Sequence, residues 1–417
     1  MKYNNKLMYL LSFALMFSIG CEDDEAAAEA EAYDPAGEYV FPSRLVDGAS
    51  SVSYTGQVVR NMLHSDLKSL TDLAASTTTG EHPYITYETM NSYFDHQDTD
   101  PPSYVSADAC ESVYTNIATG KNLSGKTGSG NLRGWSIDAT TAVQAWMQAI
   151  SDNYSQNGSS GGAGNITSPE GLNYSQMINK TLYGAVGLDQ TFGYLSNYDE
   201  SMPDNVAPKS DGSSYTVAEH KWDEAFGYFG ARRDFLNPSD VGSCVDLTSE
   251  HNFGWAEYAR KRDENPGYTF SFREDIFNHF VAGRAIIHNE GSVDDLAPHL
   301  ATIRTRLEQL TAANVIHYVG SVKTAMESMT SSSVASSSES ANYNKYWSEM
   351  RGFIIALQYT FSDDAGTVKE PGTHLTSAEL DDIVSHVGIA PLYPGDSGYD
   401  GYADELDHVV DILETLF

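Results

Sequence analysis

Basic residues are scarce in this chain. It has 24 Lys and Arg against 58 Asp and Glu in 417 residues, a formal net charge of -34. Such a field repels nucleic acid and anionic membrane surfaces, so neither nucleic acid nor a nucleotide is an expected partner. It suits cations, and it equally suits a protein working in salty surroundings. Alternating apolar runs are few, and no Asn-Gly pair joins two of them, which argues against an extended sheet. Beyond the first residues, no run is long and apolar enough to span a bilayer. Disorder is excluded by what is plentiful: 41% apolar residues, with 26 Tyr and 16 Phe.

The one long apolar run opens the chain. In "MKYNNKLMYLLSFALMFSIGC", Lys2 and Lys6 precede Leu7 to Ile19, then Gly20-Cys21. That is the layout of a secretory signal over 1–20, too short for a transmembrane anchor. Small Gly20 directly before Cys21 resembles a bacterial lipobox, with Ser18 where that pattern usually has Leu. Cleavage before Cys21 would let Cys21 carry the lipid; plain secretion is the alternative. The acidic, Ala-rich stretch 21–38 reads as a solvated tether. Its acidic start also resembles surface-export signals of some Gram-negative groups, so either face of the outer membrane stays open. Cys110 and Cys244 then remain as an even pair in an oxidising compartment, either a disulfide or two buried thiols.

The rest predicts an all-α fold. Apolar residues at helical spacing mark 51–76, 136–155, 173–196 and 272–291. They also mark 292–329, as one helix or two joined near Ala312-Ala313, and the closing 403–417. Short strands at most are expected at 37–46 and 82–88. Flexible loops are expected at 157–171 and 330–341, and a connection between two halves at 234–252. The predicted organisation is a first helical-bundle half over 39–237 and a second over 238–417.

One motif misleads. "GKNLSGKT" (120–127) spells the phosphate-loop pattern, but "GSGNLRG" follows and cannot start the helix that pattern requires. The stretch that asks for a function is "AEHKWDEAFGYFG" (218–230). On a helical wheel Ala218, Trp222, Ala225, Phe226 and Phe229 form an apolar stripe, with His220, Asp223, Glu224 and Gly227 opposite. Gly inside an open helix costs about 0.5–1 kcal/mol relative to Ala, so Gly227 implies a backbone pressed close on the polar face. Covered carboxylates beside a His want a cation. A second stretch, "KYWSEMRGFII" (345–355), repeats the Trp, Glu and Gly as Trp347, Glu349 and Gly352. There Lys345 and Ser348 replace His220 and Asp223, and Lys345 could serve as the cation for Glu349. His220 with a carboxylate one turn away can hold a metal or sit in a buried hydrogen-bond network. Further ligands could come from Glu274, His279, His288 or His317.

With these residues the chain resembles the imelysin-like family, specifically a branch of uncharacterised bacterial lipoproteins grouped with it. "SYTGQVVR", "SQMINKTLYGAVGLDQ", "HKWDEAFGYFG" and "YWSEMRGF" carry the likeness. It implies two helical bundles related by a pseudo-twofold, an outer-membrane or periplasmic place, and an association with iron uptake. The family's signature His falls on His220 and its acidic partner on Asp223. Ala218 stands where the signature has Gly, and Asp223 where it has Glu. The expected function is a non-enzymatic metal-binding or metal-uptake accessory lipoprotein with the ion at His220, Asp223 and Glu224. Iron is favoured, with zinc or copper as other candidates. The expected partners are outer-membrane lipid through Cys21 and a metal-uptake receptor or other envelope protein. Two alternatives stand beside it. One is a zinc metallopeptidase, against which no H-E-x-x-H is present. The other is a structural or docking lipoprotein without metal.

Overall fold

Side-chain caps start most of the helices. In the computed structural model, which describes residues 32–77, 84–98, 118–236, 252–264, 267–362 and 368–417, each capping oxygen accepts from the N–H three residues on. Thr86 caps α2 (Tyr87–Phe94), Asp138 α3 (Ala139–Gln156) and Asn173 α4 (Tyr174–Leu182). Thr216 caps α6 (Val217–Phe229), Ser271 α8 (Phe272–His288), Ser292 α9 (Val293–Met326) and Thr376 α11 (Ser377–Val387). Each cap satisfies an otherwise orphaned N–H and is worth roughly 1 kcal/mol. The remaining helices are α1 (Thr55–Leu73), α5 (Asp189–Leu195), α7 (Gly254–Asp263), α10 (Ala341–Leu357) and α12 (Tyr402–Glu414).

The fold is all-helical, as the sequence predicts. Among the described residues no strand forms; antiparallel pairing is limited to isolated bridges such as Pro42 with Ser50. The short strand expected at 82–88 is corrected: Thr86 there is a helix cap, and Tyr87 and Glu88 open α2. The span 292–329 forms one helix, α9, of 34 residues, about 50 Å long at 1.5 Å per residue. The span 173–196 carries a π-helical turn, Tyr183–Leu188, between α4 and α5. "GKNLSGKT" makes a single 3-10 turn, Ser124–Lys126, and the next helix starts only at Ala139.

Residues 33–417 pack as one unit. Helix α10 runs along both α9 and α4; α9 also meets α8, and α6 meets α5, α1 and α8. Trp222, Trp255 and Trp347 are buried in this core. No described helix is long and apolar enough to cross a membrane. The signal at 1–20, most of the tether, Cys21, Cys110, Cys244 and the expected boundary at 237–238 lie outside the described residues.

Candidate functional site

Helix α6 is fixed at both ends. Thr216 and Glu219 form a reciprocal capping box, and Gly230 closes the helix in the left-handed region at φ 88°. Trp222 enters α8, where its Nε1 donates to the Phe280 carbonyl at 2.9 Å. Its ring fills the place a side chain at Gly283 would take, since a Cβ there would lie 2.2 Å from the indole. This contact sets Arg284, the next residue, against the polar side of α6.

Arg284 is fully buried and gathers that side. Its Nε donates to Asp223 Oδ1 at 3.0 Å and its Nη1 to Glu219 Oε1 at 3.2 Å. Nη2 donates to Ser51 Oγ at 2.7 Å, and the guanidinium lies 4.8 Å from the Phe41 ring centre. Asp223 also accepts from Tyr39 Oη and from the Ser53 N–H, both at 2.8 Å. Arg44 adds a second cation 3.5 Å from Glu219.

Burial raises the Asp223 pKa, only partly opposed by Arg284 and the Ser53 N–H. Burial pulls the guanidinium down, and Asp223 and Glu219 more than offset it. Glu219 differs: burial would raise it, but His288, Arg284, the Thr216 N–H and Arg44 together hold it at about 2.

A pH dependence follows. Glu219 titrates well below its ordinary 4.5, so its stabilisation is complete above about 4.5 and is lost as pH falls toward 2. Asp223 has the opposite sign, because its folded pKa is raised. Between pH 4.5 and 2, wild-type stability is expected to fall more steeply than that of Glu219→Gln in urea melts. Parallel curves would show that Glu219 carries none of the acid sensitivity.

The expected ligand trio is therefore taken apart. Among the described residues, the ligand atoms of His220, Asp223 and Glu224 do not come together within 4.8 Å. Asp223 already has its cation, and that cation is an arginine. His220 and Glu224 stay paired, with Nε2 3.5 Å from Oε2, and both are largely covered. Glu224 Oε1 accepts from Gln57 Nε2 at 2.9 Å and from Tyr194 Oη at 3.1 Å. His220 stacks on Tyr215, and burial lowers its pKa, favouring the neutral ring.

The other expected ligands fall elsewhere. His288 Nδ1 lies 3.8 Å from Glu219, at the edge of the arginine cluster. His279 Nδ1 faces His299 Nδ1 at 3.0 Å. Glu274 sits in the first turn of α8. Burial lowers His317 to about 4, beside a cavity of about 480 Å³ that Arg262 also lines. In the second stretch Lys345 does not pair with Glu349. Lys180 does, at 3.6 Å, with Tyr318 Oη donating to Glu349 at 3.1 Å.

The reading of Gly227 holds. A Cβ there would lie 2.7 Å from Gln57 Cβ and 2.9 Å from Tyr54 Cβ, so α1 is the element pressed on this face. Gly352 has the same role against α4, where a Cβ would come 2.4 Å from Lys180 Cβ. The lead-ins match too: Ser53 N–H bonds Asp223, and Asn173 N–H bonds Ser348 Oγ at 2.7 Å.

One His/carboxylate set that the sequence reading did not name converges near the chain's end. Asp382, His386 and His408 bring one ligand atom each within 4.8 Å of one another. Asp382 Oδ1 lies 3.4 Å from His386 Nε2, and Oδ2 3.2 Å from His408 Nε2. His386 Nδ1 donates to Glu405, which leaves the Nε2 lone pair facing Asp382. A carboxylate orienting a histidine through its second nitrogen is the usual outer contact of a metal-ligating imidazole.

This chain belongs to the family described as Domain of unknown function (DUF4856), whose model matches residues 37–388. No curated protein and no solved structure matches the chain. The DUF4856 span includes the Arg284 cluster, both Trp-Glu-Gly helices, Asp382 and His386. It stops before α12, which carries Glu405 and His408.

Proposed function

We propose that this DUF4856 chain is a non-enzymatic, metal-binding lipoprotein of a Gram-negative cell envelope, accessory to metal uptake. The lipobox-like Cys21 supports the anchor, and the imelysin-like stretches support the link to iron. The observation that carries the metal is the Asp382–His386–His408 set. Two imidazoles and one carboxylate with open positions suit ferrous iron, and the same donors accept zinc or copper. The donors are half-exposed, which suits an ion that is taken up and released. His220 and Glu224 offer a weaker second pair. In this reading the two Trp-Glu-Gly helices are the matching parts of two duplicated halves, each pressed through its glycine onto a partner helix.

The docking reading has its own support, because the Arg284 cluster satisfies its charges internally and needs no metal. The metallopeptidase reading is weaker, since α6 brings one histidine where such sites typically bring two. Equilibrium dialysis of the full chain against ferrous iron under anaerobic conditions, then zinc and copper, separates these. About one ion per chain is expected, lost in His408→Ala and kept in His220→Ala, with the melting temperature unchanged in His408→Ala. Loss in His220→Ala alone returns the site to α6. No bound metal in the wild type leaves the docking reading. In the same preparations, Cys21→Ser is expected to lose detergent-phase partitioning.

A further inference from the structure

The chain has twelve lysines among its 24 basic residues, and four of them meet in one place. Lys68 of α1, Lys180 of α4, Lys261 of α7 and Lys345 of α10 line a cavity of about 520 Å³. This lies within the usual range for small-molecule sites. Lys68 pairs with Asp72, Lys180 with Glu349 and Lys261 with Glu257. Lys345, on the exposed rim, has no carboxylate partner among the described residues and only faces the Tyr346 ring, 5.7 Å away.

The floor is built rather than incidental. Lys180 is 4% exposed. Its Nζ donates to Tyr258 Oη at 2.6 Å and faces the rings of Tyr183, Tyr258 and Phe353 at 5.3 to 5.7 Å. Tyr258 and Tyr318 supply aromatic wall. Gln176, also lining the cavity, is 6% exposed, and its Oε1 is buried without a hydrogen-bond partner. An acceptor left unpaired at the cavity wall is where a ligand's donor would bind. A ligand that meets these groups together carries a carboxylate for Lys345, hydroxyls for Gln176, and an apolar face for tyrosine.

We infer that this cavity binds a small polyhydroxylated carboxylate of the sugar-acid class. In a chain of net charge -34, such an anion is repelled from most of the surface, and this lysine cluster is where it is held. The inference does not rest on the metal site.

Titration calorimetry of the full chain tests it, with glucuronate as the probe. Glucose supplies hydroxyls without the carboxylate, and propionate the carboxylate without hydroxyls. Saturable glucuronate binding is expected, with glucose and propionate at least tenfold weaker. Lys345→Gln, an exposed change that leaves folding alone, is expected to weaken glucuronate about tenfold, and Gln176→Ala to narrow its advantage over propionate. Lys369→Gln, outside the cavity, is the control. Glucuronate heats that do not saturate, or Lys345→Gln binding like the wild type, overturn the proposal. Propionate or glucose binding as well as glucuronate overturns the assigned class.

Discussion

Arg284→Met is expected to destabilise the protein by about 3–5 kcal/mol, the range for removing one partner of a buried charge pair. The substitution keeps most of the volume and removes the cation. Asp223 and Glu219 then remain at zero exposure on one helix face. Of these two carboxylates Arg44 reaches Glu219, so Asp223 keeps Tyr39 and the Ser53 N–H but no positive charge. Asp223→Asn in the Arg284→Met background should recover part of the loss, because the uncompensated charge goes while the amide oxygen still accepts from the Ser53 N–H and the amide NH2 donates to the Tyr39 hydroxyl. Urea midpoints of the wild type and the two variants measure this. A single-variant loss below 1 kcal/mol, or a double variant weaker than the single, would show that the charges are not balanced as described.

The second large effect concerns glycine. In an open helix Gly→Ala stabilises by up to about 1 kcal/mol. Gly193 and Gly320 are such positions, with nothing within 4 Å of an added Cβ, and alanine there is expected to raise the melting temperature. Gly227→Ala and Gly352→Ala are expected to do the reverse, by about 1–3 kcal/mol each, as overpacking does. The obstacles are Cβ atoms of Tyr54, Gln57 and Lys180, which cannot turn aside as the end of a flexible chain could. The helix pairs α1/α6 and α4/α10 would have to separate. Alanine at Gly227 and Gly352 that stabilises as it does at Gly193 would mean these crossings are looser than the structure has them.

The sequence carried the helices because apolar spacing and caps are local signals. It carried the covered face of α6 because Gly227 made no sense on an open one. It failed where partners come from far along the chain. The cation for Asp223 is Arg284, a lone charge in the apolar run "FVAGRAIIH", and nothing local aims it at α6. Thr216 and Glu219 spell a capping box that the helical pattern alone left unnamed, and the charge role of Glu219 depends on Arg284, Arg44 and His288. Asp382 with His386 and Glu405 with His408 stand one helical turn apart in sequence. Their convergence needs α11 packed on α12. The lysine cavity draws on five helices and leaves no motif. Tyr87 and Glu88 were misread because a short β-like run ended on Thr86, whose hydroxyl makes it a cap.

The Arg284 cluster also orders events in time. Tyr39 and Asp223 are 184 residues apart, and Ser51 and Arg284 are 233 apart. A chain emerging from its N-terminus makes both carboxylates long before it makes the arginine. Until α8 follows, Arg44 can meet Glu219, but Asp223 has no counterion to bury against α1. Closing contacts of that span carries a large entropic cost, which slows folding. A segment ending at α6 therefore carries Asp223 without the arginine that neutralises it in the finished core.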